Sequence, residues 1–258
     1  PYLRDQLVAA DPLPDAPNAW DGLPTARLQT AKLRENRIVS ADQTEPASEV
    51  FDMLRTNVFR RLQQNKWTSI AITSPSAGCG SSLVAVNLAF SLARQEDCRV
   101  VLVDLNLRQP HLADLMGLDE TRTLEEALSG DTPIAQAVLR CSPNLGVLAT
   151  SHAVPNPAEL LQSARIGEAI DALQQQLSPH VILYDMAPLR PHDDTLAFLP
   201  KADCALLVAE AEETTFEQVD LCEFEISQAT SLLGIVLNKC RFTADPLLVG
   251  NQQASRKG

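Results

Sequence analysis

Apolar residues in this chain follow two rhythms. Short unbroken runs, among them Val100-Val101-Leu102-Val103, Val181-Ile182-Leu183 and Ala205-Leu206-Leu207-Val208, alternate with stretches where apolar positions recur every three or four residues. Unbroken runs suit strands covered on both faces, the environment of a parallel sheet. They predict strands at 68–73, 99–104, 144–149, 181–185, 204–209 and 232–237. The helical rhythm starts after Pro46 with Phe51, Leu54, Val58 and Leu62, and returns at 82–95, 123–129, 157–177 and 215–229. In the last two, Ile166, Ile170, Leu173 and Leu177, then Val219, Cys222, Ile226 and Ala229, keep helical spacing. This alternation implies an α/β fold: a doubly wound, mostly parallel sheet flanked by helices, with right-handed crossovers. Ligands of such sheets bind at the carboxyl ends of the strands.

The first 45 residues break the pattern. Asp11-Pro12-Leu13-Pro14-Asp15-Ala16-Pro17 has neither period, which predicts a flexible or loosely docked N-terminal arm over 1–45, with Trp20 and Leu23 as its anchors. A domain over 46–245 and a C-terminal tail over 246–258 complete the expected organisation, with no internal repeat. The 258 residues, 45% of them apolar, suffice for one large core. No window holds 18 uninterrupted apolar residues, so no membrane span is expected within them. A secretory pattern is also lacking, and the chain starts at Pro1, as a trimmed protein or a piece of a longer one would. A net charge of −12 argues against general nucleic-acid binding, which rests on Lys and Arg neutralising phosphates. The six scattered cysteines form no C-x-x-C pair and read as reduced thiols of a cytosolic protein.

Three carboxyl-end positions carry the candidate chemistry. Thr73-Ser74-Pro75-Ser76-Ala77-Gly78-Cys79-Gly80-Ser81-Ser82 follows the first core strand and opens a helical run. Strand, glycine loop and helix in that order make a phosphate-binding loop, because backbone N–H groups at the helix start face the phosphates. The usual ending is G-K-[ST], where lysine charge reaches the β/γ-phosphates and the hydroxyl ligates Mg²⁺. Here it is Gly80-Ser81-Ser82, without the lysine. Asp104 and Asp185 end the second and fourth core strands, the expected holders of Mg²⁺ beside such a loop. Together they point to a P-loop NTPase type of fold. Cys79, at a helix start, is a candidate redox-sensitive thiol against the plainer reading of a small loop residue. The four histidines share no metal spacing, and His192-Asp193-Asp194 reads as a loop.

Six stretches in register resemble the cytoplasmic P-loop domain of bacterial tyrosine kinases, regulators of capsule and exopolysaccharide assembly. Glu49 to Asn57 resembles the family's E-x-x-R-x-x-R helix, and Ile72 to Ala89 its Walker A loop and helix. Val101 to Pro110 resembles the D-x-D-x-R motif called Walker A′, and Ile182 to Leu189 Walker B. Pro155 to Ser163 matches a family stretch between the second and third motifs. Gly234 to Asn238 matches the segment whose asparagine contacts adenine. The resemblance implies ATP or ADP held by Ser76, Ala77, Gly78, Cys79, Gly80, Ser81, Ser82, Arg108 and Asn238, with Mg²⁺ on Ser82, Asp104 and Asp185. It places Asp104, Asn106 and Asp185 at the catalytic positions and Glu49 and Arg55 at an oligomer contact. It also implies a transmembrane polysaccharide chain-length-determinant (co-polymerase) partner and a cytoplasmic protein recruited to the inner face of the cell membrane.

The departures fall on one mechanism. Ser81 stands for the Walker lysine, Asn106 for the second carboxylate of Walker A′, and Asp52 for the middle arginine of the helix; these 258 residues hold no tyrosine-rich tail, only Tyr2 and Tyr184, and an acceptor tail beyond Gly258 stays open if the chain is cut short. A lysine charge ~4 Å from a phosphate oxygen is worth about 4 kcal/mol at an effective dielectric of about 20, or roughly 1,000-fold in rate. A serine hydroxyl recovers about 0.5–1.5 kcal/mol. Asn106 can be neither an anionic base nor a tight Mg²⁺ ligand. These changes predict a regulatory pseudokinase, its loop empty or holding nucleotide without turnover. Two other readings stand beside it. One is an active tyrosine autokinase with a substitute cation, Arg108 or a residue from a neighbouring subunit. The other is a partition ATPase of the MinD/ParA type, which would carry an extra lysine where this chain has Ser76. With Asp52 set against Glu49, a monomer or weak dimer is expected instead of a stable ring.

Overall fold

A computed structural model describes residues 19–240, except 43, 44, 46, 119–123, 125–127 and 129–132. Seven strands form one sheet: β1 Ser69–Thr73, β2 Val100–Leu105, β3 Leu139–Ser142, β4 Leu145–Leu148, β5 Val181–Met186, β6 Cys204–Glu210 and β7 Ser231–Asn238. Their spatial order is β3-β4-β2-β5-β1-β6-β7. Every pairing is parallel except the β3–β4 hairpin. All six predicted strands are present, and the α/β, mostly parallel architecture is as expected.

The five inner strands, β4, β2, β5, β1 and β6, are buried on both faces, which is why they read as unbroken apolar runs. Ile70, Ile72, Leu102, Leu183 and Leu206 pack on one face, with Val58 and Leu62 of helix Ser48–Asn65 and Val84, Leu88 and Leu92 of helix Ser81–Ala93. Ala71, Val101, Val103, Ile182 and Leu207 face the other side, with Ile166, Leu173 and Leu177 of helix Ala164–Leu177 and Cys222 and Ile226 of helix Phe216–Ser227. The period of two along each strand sorts these residues.

Several elements differ from expectation. The predicted 157–177 helix is two, Pro157–Gln162 and Ala164–Leu177, broken where Ser163 takes ψ 157°. β3 escaped the sequence reading because Leu139-Arg140-Cys141-Ser142 is short and only Leu139 is buried. The 123–129 helix lies mostly outside the described residues; Leu124 and Leu128, which are described, are helical.

The part of the N-terminal arm that is described, 19–42, is packed, not loose. Trp20 is 2% exposed, and its Nε1–H donates to Pro143 O at 2.8 Å. Arg140 N donates to Pro24 O at 2.7 Å and Ala26 N to Arg140 O at 3.0 Å, so the segment runs along β3 as a bridge. Asn87 Oδ1 accepts Ser40 N at 2.9 Å, tying it to helix Ser81–Ala93. Trp20 and Leu23 are both buried, and burying a tryptophan docks a segment that has no apolar periodicity of its own. The expected 246–258 tail lies outside the described residues. Among those described, no helix is long and apolar enough to cross a membrane.

Candidate functional site: a phosphate-binding loop without its cation

The loop hangs between β1 and helix Ser81–Ala93. Thr73 Oγ1 donates to Ala187 O at 2.7 Å, and Leu189 N donates to Ser74 O at 2.8 Å, so the end of β5 braces the loop's start. Ser76, Ala77 and Gly78 are exposed at its tip. Gly78 and Gly80 have φ of +93° and +84°, conformations that L side chains rarely adopt. Gly80 has no spare room either: a Cβ there would lie 2.5 Å from Asn238 Nδ2. That amide donates to Cys79 O at 2.8 Å, fastening the last residue of β7 to the loop backbone. Asn238 thus touches the loop itself.

Cys79 is 1% exposed. Its Sγ lies 3.6 Å from Ser76 Oγ and 3.9 Å from Thr214 Oγ1, inside the loop's own packing. Ser81 and Ser82 are both buried in the first helical turn.

Asp104 and Asp185 sit opposite each other in the β2–β5 register. Each continues the alternation of Val100 and Leu102, or Val181 and Leu183, and so points to the face covered by helix Ser81–Ala93. Both are fully buried. Asp104 Oδ1 accepts Asn106 N and Oδ2 accepts Leu112 N, each at 3.2 Å. Burial, then the neighbouring Asp185 carboxylate, pushes the Asp104 carboxyl up; the two backbone donors and nearby His111 act against that. Burial likewise pushes Asp185 up, opposed by the Ser82 hydroxyl. By strict geometry neither Asp185 oxygen has a hydrogen-bond partner, so the Ser82 contact is a loose one. Whenever no cation neutralises them, two adjacent buried carboxylates favour sharing a proton.

A buried pair of carboxylates with orphaned oxygens beside a serine hydroxyl fits a hard divalent cation, which prefers oxygen donors. Asp185, Asp104 and Ser82 would hold it, and it would neutralise phosphate charge.

Three cations beside this site are engaged. Arg108 forms a bidentate pair with buried Asp194, Nε to Oδ2 at 2.7 Å and Nη2 to Oδ1 at 3.0 Å. Arg190, which follows the brace at Leu189, pairs with Glu225. Lys239, next to Asn238, donates to Glu210 at 2.8 Å. Asp194 was missed in the sequence; it lies in the stretch read as a loop, and only its place beyond the carboxyl end of β5 could have flagged it.

Glu49 is exposed near the start of helix Ser48–Asn65. Arg55 is used within the chain, donating to Asp52 Oδ1 at 3.2 Å and Ser91 O at 3.3 Å. Asp52 also accepts Arg94 and the Ser91 hydroxyl. It is a neutralised hub between two helices, so the repulsion expected of it across an oligomer contact is already compensated inside the chain.

The sheet order, the braced glycine loop and the strand-end carboxylates define a P-loop NTPase. The family model for ParA, described as NUBPL iron-transfer P-loop NTPase, matches residues 66–246, and the chain belongs to that family. Individual proteins that it matches include several named as bacterial tyrosine-protein kinases. Tyrosine-protein kinase YwqD of Bacillus subtilis is 29% identical over 81% of this chain and 87% of its own length. EpsB of Ralstonia solanacearum is 29% identical over 90% of this chain, but the chain spans 30% of that protein. Tyrosine-protein kinase wzc of Salmonella typhimurium is 25% identical, over 90% of this chain and 32% of its own. Among solved structures, the chimerical protein CapA2B2 superposes with a TM-score of 0.71 at 25% identity, covering 85% of this chain and 95% of that one. The kinase domain of Escherichia coli tyrosine kinase ETK gives 0.70 at 23%, over 81% and 83%. The family resemblance read from the six motifs is therefore sound. The MinD/ParA group, set apart in the sequence by Ser76, shares the family itself.

Proposed function

We propose that this chain is the P-loop module of a regulator of exopolysaccharide or capsule assembly, and that it works as a pseudokinase. It keeps the nucleotide cradle as a scaffold and docks on the cytoplasmic part of a membrane chain-length-determinant (co-polymerase) protein at the inner face of the membrane. The observation that carries this reading is the pairing of Arg108, Arg190 and Lys239 with Asp194, Glu225 and Glu210 around a loop whose lysine is Ser81. Each of these three side chains already has a carboxylate partner, and the substitute-cation role considered for Arg108 would require drawing its partly exposed guanidinium off Asp194, leaving that buried carboxylate unpaired.

What the chain's own residues retain is positioning. Gly78, Gly80 and the first turn of helix Ser81–Ala93 present backbone N–H groups to a phosphate, and Ser82, Asp104 and Asp185 suit its divalent cation. Asn106 cannot take a tyrosine proton as an anion would. Tyr184, one of the chain's two tyrosines, is buried against Phe198 and unavailable as an acceptor.

Calorimetry of the purified chain with Mg·ATP and Mg·ADP tests the reading. Weak or absent binding is expected, with Ser81→Lys tightening Mg·ATP by at least tenfold. Tight binding by the unaltered chain with steady ATP consumption would sink it.

A further inference from the structure

Helix Phe216–Ser227 carries an apolar face that no other described residue covers. Cys222 and Ile226 point into the core, while Phe216, Leu221 and Phe224 are 86%, 47% and 62% exposed. At about 100° per residue, Phe224 lies opposite the buried side, with Leu221 and Phe216 on its flanks. Exposed Glu217, Asp220 and Glu223 stand among them. The neighbouring edge strand adds exposed apolar side chains: Ile235 and Leu237, 46% and 60% exposed, pair in register with Leu207 and Ala209. Leu207 packs with Cys222, so both exposed side chains share the sheet face on which this helix lies.

We propose that this face docks a basic polypeptide segment, its apolar side chains against Phe216, Leu221 and Phe224 and its lysines or arginines on Glu217, Asp220 and Glu223. Exposed aromatic residues clustered with aliphatic ones are the usual anchors of an interface. The charges choose the occupant. A second copy would bring the same acids face to face across a two-fold contact, and a nucleic acid or an anionic bilayer carries the same sign. A basic segment neutralises the rim while covering the anchors. The face also adjoins the loop: Thr214, just before the Thr215 cap of this helix, lies 3.9 Å from Cys79 Sγ, and its hydroxyl accepts Glu210 N at 2.9 Å. An occupant reaching Phe216 sits beside the phosphate cradle. The inference stands whether or not the cradle is catalytically silent.

The test uses the whole chain and a fluorescein-labelled amphipathic Lys/Leu peptide, with a Glu/Leu peptide of the same length as control. Fluorescence anisotropy is expected to show saturable binding of the Lys/Leu peptide that weakens at high salt. Phe216→Ser/Phe224→Ser and, separately, Asp220→Lys/Glu223→Lys should each weaken it at least tenfold, with Tm and circular dichroism unchanged. Equal affinity for the Phe216→Ser/Phe224→Ser variant would overturn the proposal, because the peptide would then be reading net charge alone. So would comparable binding of the Glu/Leu peptide. A wild-type dimer in sedimentation that dissolves in that double variant would assign the face to a second copy. Phosphatidylglycerol vesicles bound by the wild type and not by the variant would assign it to a membrane.

Discussion

Asp185 and Asp104 show at the residue scale how much of this site depends on charge that is absent. Both carboxyls are pushed above the ordinary value of 3.8 by burial, and they face each other in register. A carboxyl raised on folding binds its proton more tightly in the folded chain than in the unfolded one. The stability it lends is complete below the ordinary carboxylate range and is lost as pH rises through the raised value. In chelator, the unfolding free energy should therefore fall between about pH 5 and pH 8, by up to about 1.4 kcal/mol per pH unit for one retained proton, and Tm should fall with it. Asp185→Asn should flatten that slope and raise Tm at the alkaline end; a slope unchanged in the variant would contradict the account. Mg²⁺ should raise wild-type Tm more at pH 8 than at pH 5, since the metal competes with the shared proton. Gly80 offers a second check. Gly80→Ala sets a methyl against Asn238 Nδ2 in a backbone that disfavours it, and should cost about 2–3 kcal/mol in denaturant unfolding. Both carboxylates and both glycines were legible in the sequence because strand ends and glycine spacing are local. The pairing of Arg108 with Asp194, 86 residues apart, was not.

Among elements, helix Ser48–Asn65 is held to helix Ser81–Ala93 by more than apolar contact. Asp52 gathers Arg55, Arg94 and Ser91 at one carboxylate. Asp52→Ala should cost about 1–2 kcal/mol by urea unfolding, because Arg94 and the partly buried Arg55 lose their counter-charge. A change within experimental scatter would mean that the network is slack. In the sequence Asp52 reads as a repulsive replacement at an outer surface, since a motif position says which partner a relative uses and not which one a new residue finds inside. β3 and the docked 19–42 segment were hidden for a related reason. Each is stabilised by the other, through the Pro24 and Arg140 backbone pairs and the Trp20 indole on Pro143, contacts remote in sequence. Trp20→Ala should cost about 3 kcal/mol of stability and expose 19–42 to limited proteolysis ahead of the domain. Strands covered on both faces were the easy part, because their burial is written into consecutive residues.

Taken as a whole, the molecule is an acidic P-loop protein of the ParA family with tyrosine kinases among its relatives and a net charge of −12. The loop after β1 keeps two glycines in left-handed conformations, and Asp104 and Asp185 stand opposite each other at the ends of β2 and β5. What distinguishes it is that positive charge around the cradle is missing at Ser81 and committed elsewhere at Arg108, Arg190 and Lys239. The most direct measurement is transfer of labelled γ-phosphate from Mg·ATP to a Glu/Tyr copolymer, comparing the chain as it stands with Ser81→Lys/Asn106→Asp. The account predicts no transfer above background from the unaltered chain and measurable transfer from the double variant. Phosphotyrosine formed by the unaltered chain, and abolished by Asp104→Ala, would contradict it.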